Sequence, residues 1–186
     1  MYDDDDDDAG KSADAGRMGK AAEHLVAAFC VLATRGALNV STSMVDDEGV
    51  DLIFHRRNST ATLAVQVKAR MSDSKRVRSE GFVAFVRSQT FTPRSGLDML
   101  FVAIDITRGA VMKAWLIPST DYARTLGQPS SRGRYRFGAS MKGETNDRWR
   151  PYRLEADELP AAVLRRLDEL SPPGAAPTSD TSGSGA

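Results

Sequence analysis

Three runs of β character follow one another early in the chain, and they constrain the fold more than any other feature. They are Ala37 to Ser43, Gly49 to His55 and Ala61 to Ala69. Each run is short, rich in β-branched and other apolar residues, and bounded by polar or Gly-containing breaks. Residues 56–59 suit a tight turn between the last two runs. The sequence therefore predicts consecutive strands, the second and third joined as a hairpin.

The rest of the chain adds helices and a second hairpin to this unit. Apolar residues recur at helical spacing from Met18 to Thr34, and Gly36 follows as a stop signal. Further strands are predicted at Gly81 to Val86, Leu97 to Ile106 and Ala110 to Ile117, and a last helix at Glu155 to Leu170. The predicted fold class is α/β, with a mixed central β-sheet flanked by helices.

Charge divides the chain into three parts, although its 25 basic and 25 acidic residues balance overall. Residues 1–16 carry seven Asp and one Lys and are predicted to form a disordered acidic arm. Residues 17–170 hold 24 Lys and Arg against 17 Asp and Glu, a net charge of plus seven. Residues 171–186 are predicted to be a disordered tail. The middle part has the size of one ordinary domain.

Composition excludes several classes of protein. The single cysteine, Cys30, cannot form an intramolecular disulfide, and one cysteine with two histidines cannot build an ordinary four-ligand zinc site. No run of about 18 apolar residues is present, as a membrane helix would need, and the N-terminus is acidic rather than signal-like. We expect a cytoplasmic protein that has no membrane partner.

Three polar residues of the predicted hairpin are expected to converge. Asp51 lies in Gly49-Val50-Asp51 of the second run, and Gln66 and Lys68 lie in Gln66-Val67-Lys68 of the third. Side chains alternate along a strand, so Gln66 and Lys68 share one face while Val67 faces the other way. Pairing of the two strands brings Asp51 beside them.

Such a cluster suits metal-assisted hydrolysis of phosphodiesters. A hard cation such as Mg²⁺ takes oxygen ligands at about 2.0 to 2.1 Å and keeps several waters, so a carboxylate, an amide oxygen and a backbone carbonyl can hold it. Such a cation polarises the phosphate and acidifies a bound water, while a nearby lysine orients that water or stabilises the transition state. Glu23, on the first helix, could add a carboxylate through water.

These residues, in this order, resemble the PD-(D/E)xK nuclease superfamily, especially its Holliday-junction-resolvase-like and Mrr-like restriction endonuclease branches. The resemblance covers residues 18 to about 117. It implies a restriction-endonuclease-like core of a helix, three antiparallel strands, a second helix and a further parallel strand. It also implies DNA cleavage with Mg²⁺ or Mn²⁺. By position, Asp51, Gln66 and the Val67 carbonyl would hold the metal, Glu23 would act through water, and Lys68 would be the catalytic lysine.

The sequence departs from the superfamily pattern at two places. Gln66 stands where the superfamily usually has an acid. The Mrr-like branch is known for a Gln at this position, but an amide binds a cation less strongly than a carboxylate. The second helix is not evident between Lys68 and Leu97, where a strand and a loop are predicted instead.

Basic residues cluster in two further segments. Those predicted to contact nucleic acid are Arg70, Lys75, Arg76, Arg78, Arg87, Arg94, Arg134 and Arg136. Arginines of the second segment alternate with four aromatic residues, Tyr135, Phe137, Trp149 and Tyr152. Those aromatic rings either stack on unpaired bases or anchor the core, with arginines around them.

The sequence leaves three hypotheses for function. The first is a metal-dependent DNA endonuclease of repair, recombination or restriction, for which a homodimer would suit a two-strand cut. The second is a catalytically inactive nuclease-fold module that binds nucleic acid or a protein partner. The third is a structural partner protein that binds no DNA.

Overall fold

The computed structural model describes residues 13–42 and 49–171. Residues 1–12 of the predicted arm and nearly all of the predicted tail lie outside the described residues, so their disorder stays a prediction. Residues 13–16 of the predicted arm are helical instead, because they form the first turn of a long helix. The helices are α1 (Ala13–Ala33), α2 (Lys75–Arg78), α3 (Ser119–Thr125) and α4 (Leu159–Leu170). The strands are β1 (Leu38–Thr42), β2 (Leu52–Arg56), β3 (Thr62–Met71), β4 (Gly81–Arg87), β5 (Leu97–Asp105), β6 (Ala110–Pro118), β7 (Arg134–Ser140) and β8 (Arg153–Glu155).

The strands form one large mixed sheet and one small antiparallel ribbon. The large sheet has the order β1-β2-β3-β5-β6-β8, in which only the β3–β5 pairing is parallel. Both predicted hairpins, β2–β3 and β5–β6, are present. Strands β4 and β7 pair with each other as the ribbon.

One face of the large sheet packs against α1 and α4. Alternate residues of the strands point to this face, among them Leu52 of β2, Val65 of β3 and Leu100 of β5. They meet Val26 of α1 and Val163 of α4, and all five are fully buried. Burial of an aliphatic side chain stabilises a fold by roughly 1.5–3 kcal/mol, so this layer fixes both helices on the sheet.

The other face is covered unevenly. The ribbon and α3 cover β5 and β6 through an aromatic cluster in which Phe101 of β5 stacks on Phe137 of β7, with ring centroids 3.7 Å apart. The same face of β2 and β3 remains partly exposed, at Ile53, His55 and Ala64. The uncovered part of this face therefore belongs to β2 and to the first part of β3.

The segment between β3 and β5 differs from the core that the resemblance implies. A four-residue helix, α2, and strand β4 stand where a full second helix is expected. Helix α1 begins at Ala13, earlier than the predicted Met18, and it ends at the predicted stop, where Gly36 adopts a φ of +77°. None of the helices in the described parts of the chain has the length and hydrophobicity needed to cross a bilayer.

A buried ion pair joins α4 to the sheet. Arg166 Nε and Nη2 donate to the two carboxylate oxygens of Asp98 on β5, at 2.8 and 3.0 Å. Asp98 is completely buried, and burial raises the pKa of this carboxyl while Arg166 opposes the shift. Cys30 is also buried, which raises the pKa of its thiol to about 12 and leaves it unreactive.

Candidate active site

Asp51, the residue just before β2, makes hydrogen bonds to β3 through both its backbone and its side chain. Its backbone N–H donates to the Val65 carbonyl at 2.9 Å, although Leu52 already pairs with Val65, so the regular ladder ends at Leu52. Its carboxylate Oδ2 then accepts the N–H of Val67 at 2.7 Å. The carboxylate is therefore held at the margin of β3 by a charge-assisted hydrogen bond, which orients it without neutralising it.

Asp51 lies at the margin of β3, close to Gln66 and Val67. The antiparallel register of β2 with β3 ends with Leu52 against Val65, and Asp51 precedes Leu52 in the chain. Val65 and Val67 face the helices, so Gln66 points to the opposite face of the sheet, because side chains alternate along a strand. Lys68 lies two residues beyond Gln66 on that same face and is partly exposed.

Gly49 gives the Gln66 amide the space that it occupies. Gly49 has a φ of +68°, and a Cβ at this position would lie 2.6 Å from Gln66 Nε2 and 3.6 Å from the Thr90 carbonyl. Any larger residue would overlap the amide. Gln66 itself is only 6% exposed, which is unusual for an amide side chain on an open sheet face.

The Val67 carbonyl completes a set of oxygen donors. The Val65 carbonyl and the Val67 N–H both point from β3 toward Asp51. Because the N–H and C=O of one strand residue point to the same side, the Val67 carbonyl also points to this side. A carboxylate, an amide and a backbone carbonyl thus belong to neighbouring residues at this strand margin, and oxygen ligands of these kinds are those that Mg²⁺ and Mn²⁺ prefer.

Carboxylates alone do not form a metal site in the described part of the chain. No group of three or more His, Cys, Asp or Glu side chains lies together within residues 13–42 and 49–171. A cation site at Asp51 would need the Gln66 amide and the Val67 carbonyl as further ligands. The three protein groups together carry one negative charge, that of Asp51, whereas two acidic ligands would carry two.

Glu23 lies beside the buried face of α1. Its side chain is 13% exposed, and Lys20 Nζ donates to its Oε2 at 2.6 Å. Helix α1 packs on the sheet face that Val65 and Val67 form, which is the face opposite to Gln66. The water-mediated role of Glu23 stays a prediction.

The basic residues predicted to bind nucleic acid occupy different settings. Arg70 Nε donates to the Val83 carbonyl at 2.8 Å and thereby ties β3 to β4. The backbone of Arg94 makes two hydrogen bonds with the buried Ser119 hydroxyl, which fixes the loop before β5. The remaining members are exposed on α2, namely Lys75, Arg76 and Arg78, or lie on the ribbon, namely Arg87, Arg134 and Arg136.

The structure decides between the two interpretations of the aromatic residues for the two that are most buried. Phe137 and Trp149 are 0% and 2% exposed and pack in the aromatic cluster beneath the ribbon. They cannot stack on bases, so that alternative is wrong for both. Tyr152 packs at the margin of the cluster and donates from its hydroxyl to Asp121 at 3.1 Å.

Sequence reasoning assigned no role to Gly49 or Thr90. Gly49 could have been found, because a glycine two residues before a polar strand residue often marks close approach of another group. Nothing in the sequence placed the Thr90 carbonyl beside it. That contact depends on the path of the loop after β4.

The overall fold is shared with a known nuclease. A solved structure of a bacterial homing endonuclease superposes with a TM-score of 0.52 at 15% sequence identity, over 82% of this chain and 94% of that chain. The sequence matches no protein-family model and no curated protein at a significant level. The likeness shows a nuclease-like α/β fold, and membership of the PD-(D/E)xK superfamily remains a prediction.

Proposed function

We propose that this protein is a metal-dependent DNA endonuclease, which hydrolyses phosphodiester bonds in DNA repair, recombination or restriction. The observation that carries the proposal is the hydrogen bond from the Val67 N–H to the Asp51 carboxylate, which fixes that carboxylate at the margin of β3 close to Gln66 and Val67. A carboxylate, an amide and a carbonyl oxygen are the ligands that the proposal assigns to the cation. The fold shared with a homing endonuclease supports the same proposal.

Each residue has a stated role in this proposal. Asp51, Gln66 and the Val67 carbonyl hold Mg²⁺ or Mn²⁺. When bound, such a cation supplies Lewis-acid activation of the phosphate and of an attacking water. Lys68 orients that water and stabilises the additional negative charge of the transition state.

DNA is the proposed substrate because of charge as well as fold. Residues 17–170 carry a net charge of plus seven. Six arginines and lysines predicted to bind nucleic acid lie on α2 and the ribbon. Cationic side chains supply the phosphate contacts that dominate affinity for nucleic acid.

Asp51→Asn is the sharpest test of the site. An Asn oxygen can still accept the Val67 N–H, so the fold is kept while the charge is lost. Linear, branched and single-stranded DNA are incubated with the purified protein and Mg²⁺ or Mn²⁺. We expect cleavage of at least one substrate, reduced about 10²-fold or more by Asp51→Asn and by Lys68→Ala.

Asp105→Asn is the matched control. The Asp105 carboxylate also accepts backbone N–H groups, from Thr107 and Arg108 in the β5–β6 turn, but it lies outside the site. Its cleavage rate should equal that of the unmodified protein. Cleavage that survives both Asp51→Asn and Lys68→Ala would refute the assignment.

The alternative is a nuclease-fold module that has lost catalysis and binds nucleic acid or a protein partner. The replacement of an acid by Gln66 is the observation that favours it, since an amide weakens metal affinity. It predicts salt-sensitive DNA binding that neither Mg²⁺ nor Asp51→Asn changes. Titration with Mn²⁺, followed by calorimetry, separates the two functions without relying on cleavage.

A further inference from the structure

The outward face of the β4–β7 ribbon brings together basic residues that are distant in the sequence. Arg87 pairs with Arg134, and Phe85 pairs with Arg136. The inward face, with Phe82, Phe137 and their neighbours, packs in the aromatic cluster. The eight outward positions, all within the described residues, include three arginines and no acid: Gly81, Val83, Phe85, Arg87, Arg134, Arg136, Gly138 and Ser140.

This outward face is accessible. Arg87 and Arg136 are exposed, and Val83 and Phe85 are partly exposed. The Arg136 guanidinium lies over Gly138, because a Cβ there would stand 2.8 Å from Arg136 Nη1. Small residues at the far end of β7 therefore let an arginine lie along the ribbon.

The ribbon has the dimensions of a major-groove reader. Two paired strands lie about 4.8 Å apart, and with their side chains they fill the major groove of B-DNA, which is about 12 Å wide. The minor groove, about 6 Å wide, is too narrow for a two-stranded ribbon. Arginine is the side chain that most often reads guanine in the major groove.

The ribbon is also fixed with respect to the candidate active site. The Arg70 bond to the Val83 carbonyl ties β4 to β3, the strand of Gln66 and Lys68. Three residues after Arg87 comes Thr90, whose carbonyl would lie 3.6 Å from a Cβ on Gly49. Three residues span at most about 10 Å, so the Arg87 end of the ribbon lies no more than roughly 20 Å from the Gln66 amide.

We propose that the β4–β7 ribbon inserts into the major groove of duplex DNA, with Arg87, Arg134 and Arg136 contacting base edges and flanking phosphates. The proposal rests on the proposed function in taking DNA as the partner. The ribbon would then set the register of the duplex, and a phosphate at the margin of the occupied groove would face Asp51.

Groove-specific DNA probes test this directly. Binding of the full-length protein to a fluorescent mixed-sequence duplex is measured without divalent metal, so that no strand is cut. A second duplex of the same sequence carries glucosylated hydroxymethylcytosine, whose sugar fills the major groove. We expect about tenfold or greater weakening on the glucosylated duplex, and no competition from netropsin, which occupies the minor groove.

Ribbon variants provide the second arm. The double variant Arg87→Ala with Arg136→Ala should weaken binding about tenfold or more and lower its salt dependence. Arg165→Ala is the matched control, because Arg165 is exposed on α4, the helix on the opposite side of the sheet. It should bind like the unmodified protein, and circular dichroism checks that all variants are folded.

The outcomes separate this proposal from the proposed function. Equal binding to both duplexes, displacement by netropsin, unchanged binding of the ribbon variant or no duplex binding would each overturn the ribbon proposal. Cleavage with Mg²⁺ is measured in parallel with unmodified protein. Binding that depends on the major groove, without cleavage, would refute the proposed nuclease activity and support the ribbon proposal. Cleavage together with binding that does not depend on the groove would refute the ribbon proposal and support the nuclease activity.

Discussion

Substitution of Gly49 tests whether the Gln66 amide must occupy its observed position. Ala at Gly49 incurs two penalties. The backbone there has a φ of +68°, a left-handed conformation that destabilises a residue with a Cβ by roughly 1–2 kcal/mol. The new Cβ would also stand 2.6 Å from Gln66 Nε2, and the amide is too buried to move without disturbing its surroundings.

Gly109 provides a control that separates these penalties. It has a similar φ of +58° in the β5–β6 turn, but no heavy atom beyond its chain neighbours lies within 4 Å of a Cβ built there. Gly109→Ala should therefore lose about 1–2 kcal/mol of unfolding free energy and keep its cleavage rate. Gly49→Ala should lose a further 1–3 kcal/mol, approximately, from overpacking, together with most of its cleavage.

Urea unfolding measures the stabilities, and initial cleavage rates at several Mn²⁺ concentrations measure the site. The double variant Gly49→Ala with Gln66→Ala supplies an internal check, because truncation of the amide removes the overlap. Relative to Gln66→Ala alone, it should lose only the backbone penalty. Identical stability and cleavage for Gly49→Ala and Gly109→Ala would refute the claim that Gly49 positions Gln66.

Three further predictions concern charge. Arg166→Leu should destabilise the protein by about 3–5 kcal/mol at neutral pH, because it leaves Asp98 buried and unpaired. Burial raises the pKa of Asp98 in the folded state, so protonation at low pH favours folding, and the deficit of Arg166→Leu in urea unfolding should shrink as the pH falls toward about 4. Gln66→Glu should tighten Mn²⁺ binding in calorimetry, since a second carboxylate joins Asp51. Deletion of residues 1–12, which leaves α1 intact and removes an acidic run, should strengthen DNA binding at low salt, and unchanged affinity would mean that the run is inert.

The hairpin that carries the candidate site followed from the sequence. Alternation of side chains in the third run put Gln66 and Lys68 on one face, and the turn at residues 56–59 set β2 antiparallel to β3. These are local features, since strand period and tight-turn chemistry depend on residues only a few positions apart. The hydrogen bond between the Asp51 carboxylate and the Val67 N–H could not be predicted from these local features. It depends on where the regular part of β2 begins after Gly49.

The ribbon shows the opposite case. The sequence of β7, Arg134 to Ser140, alternates polar with apolar residues, yet its arginines and aromatics were grouped as one basic cluster. Only pairing with β4, about fifty residues earlier, divides them into an arginine face and a buried aromatic face. Both strands contribute to one core, so neither sequence by itself shows which side is inward.

The sequence by itself determined the hairpin that carries Asp51, Gln66 and Lys68, the first and last helices, and the basic character of the folded part. Tertiary structure decided the parallel pairing of β3 with β5, the short helix between them, and the burial of Asp98 against Arg166. The physical reason is the range of the interactions. Periodicity records how each segment meets its nearest neighbours, whereas partner choice between distant segments depends on the free energy of the whole packed core.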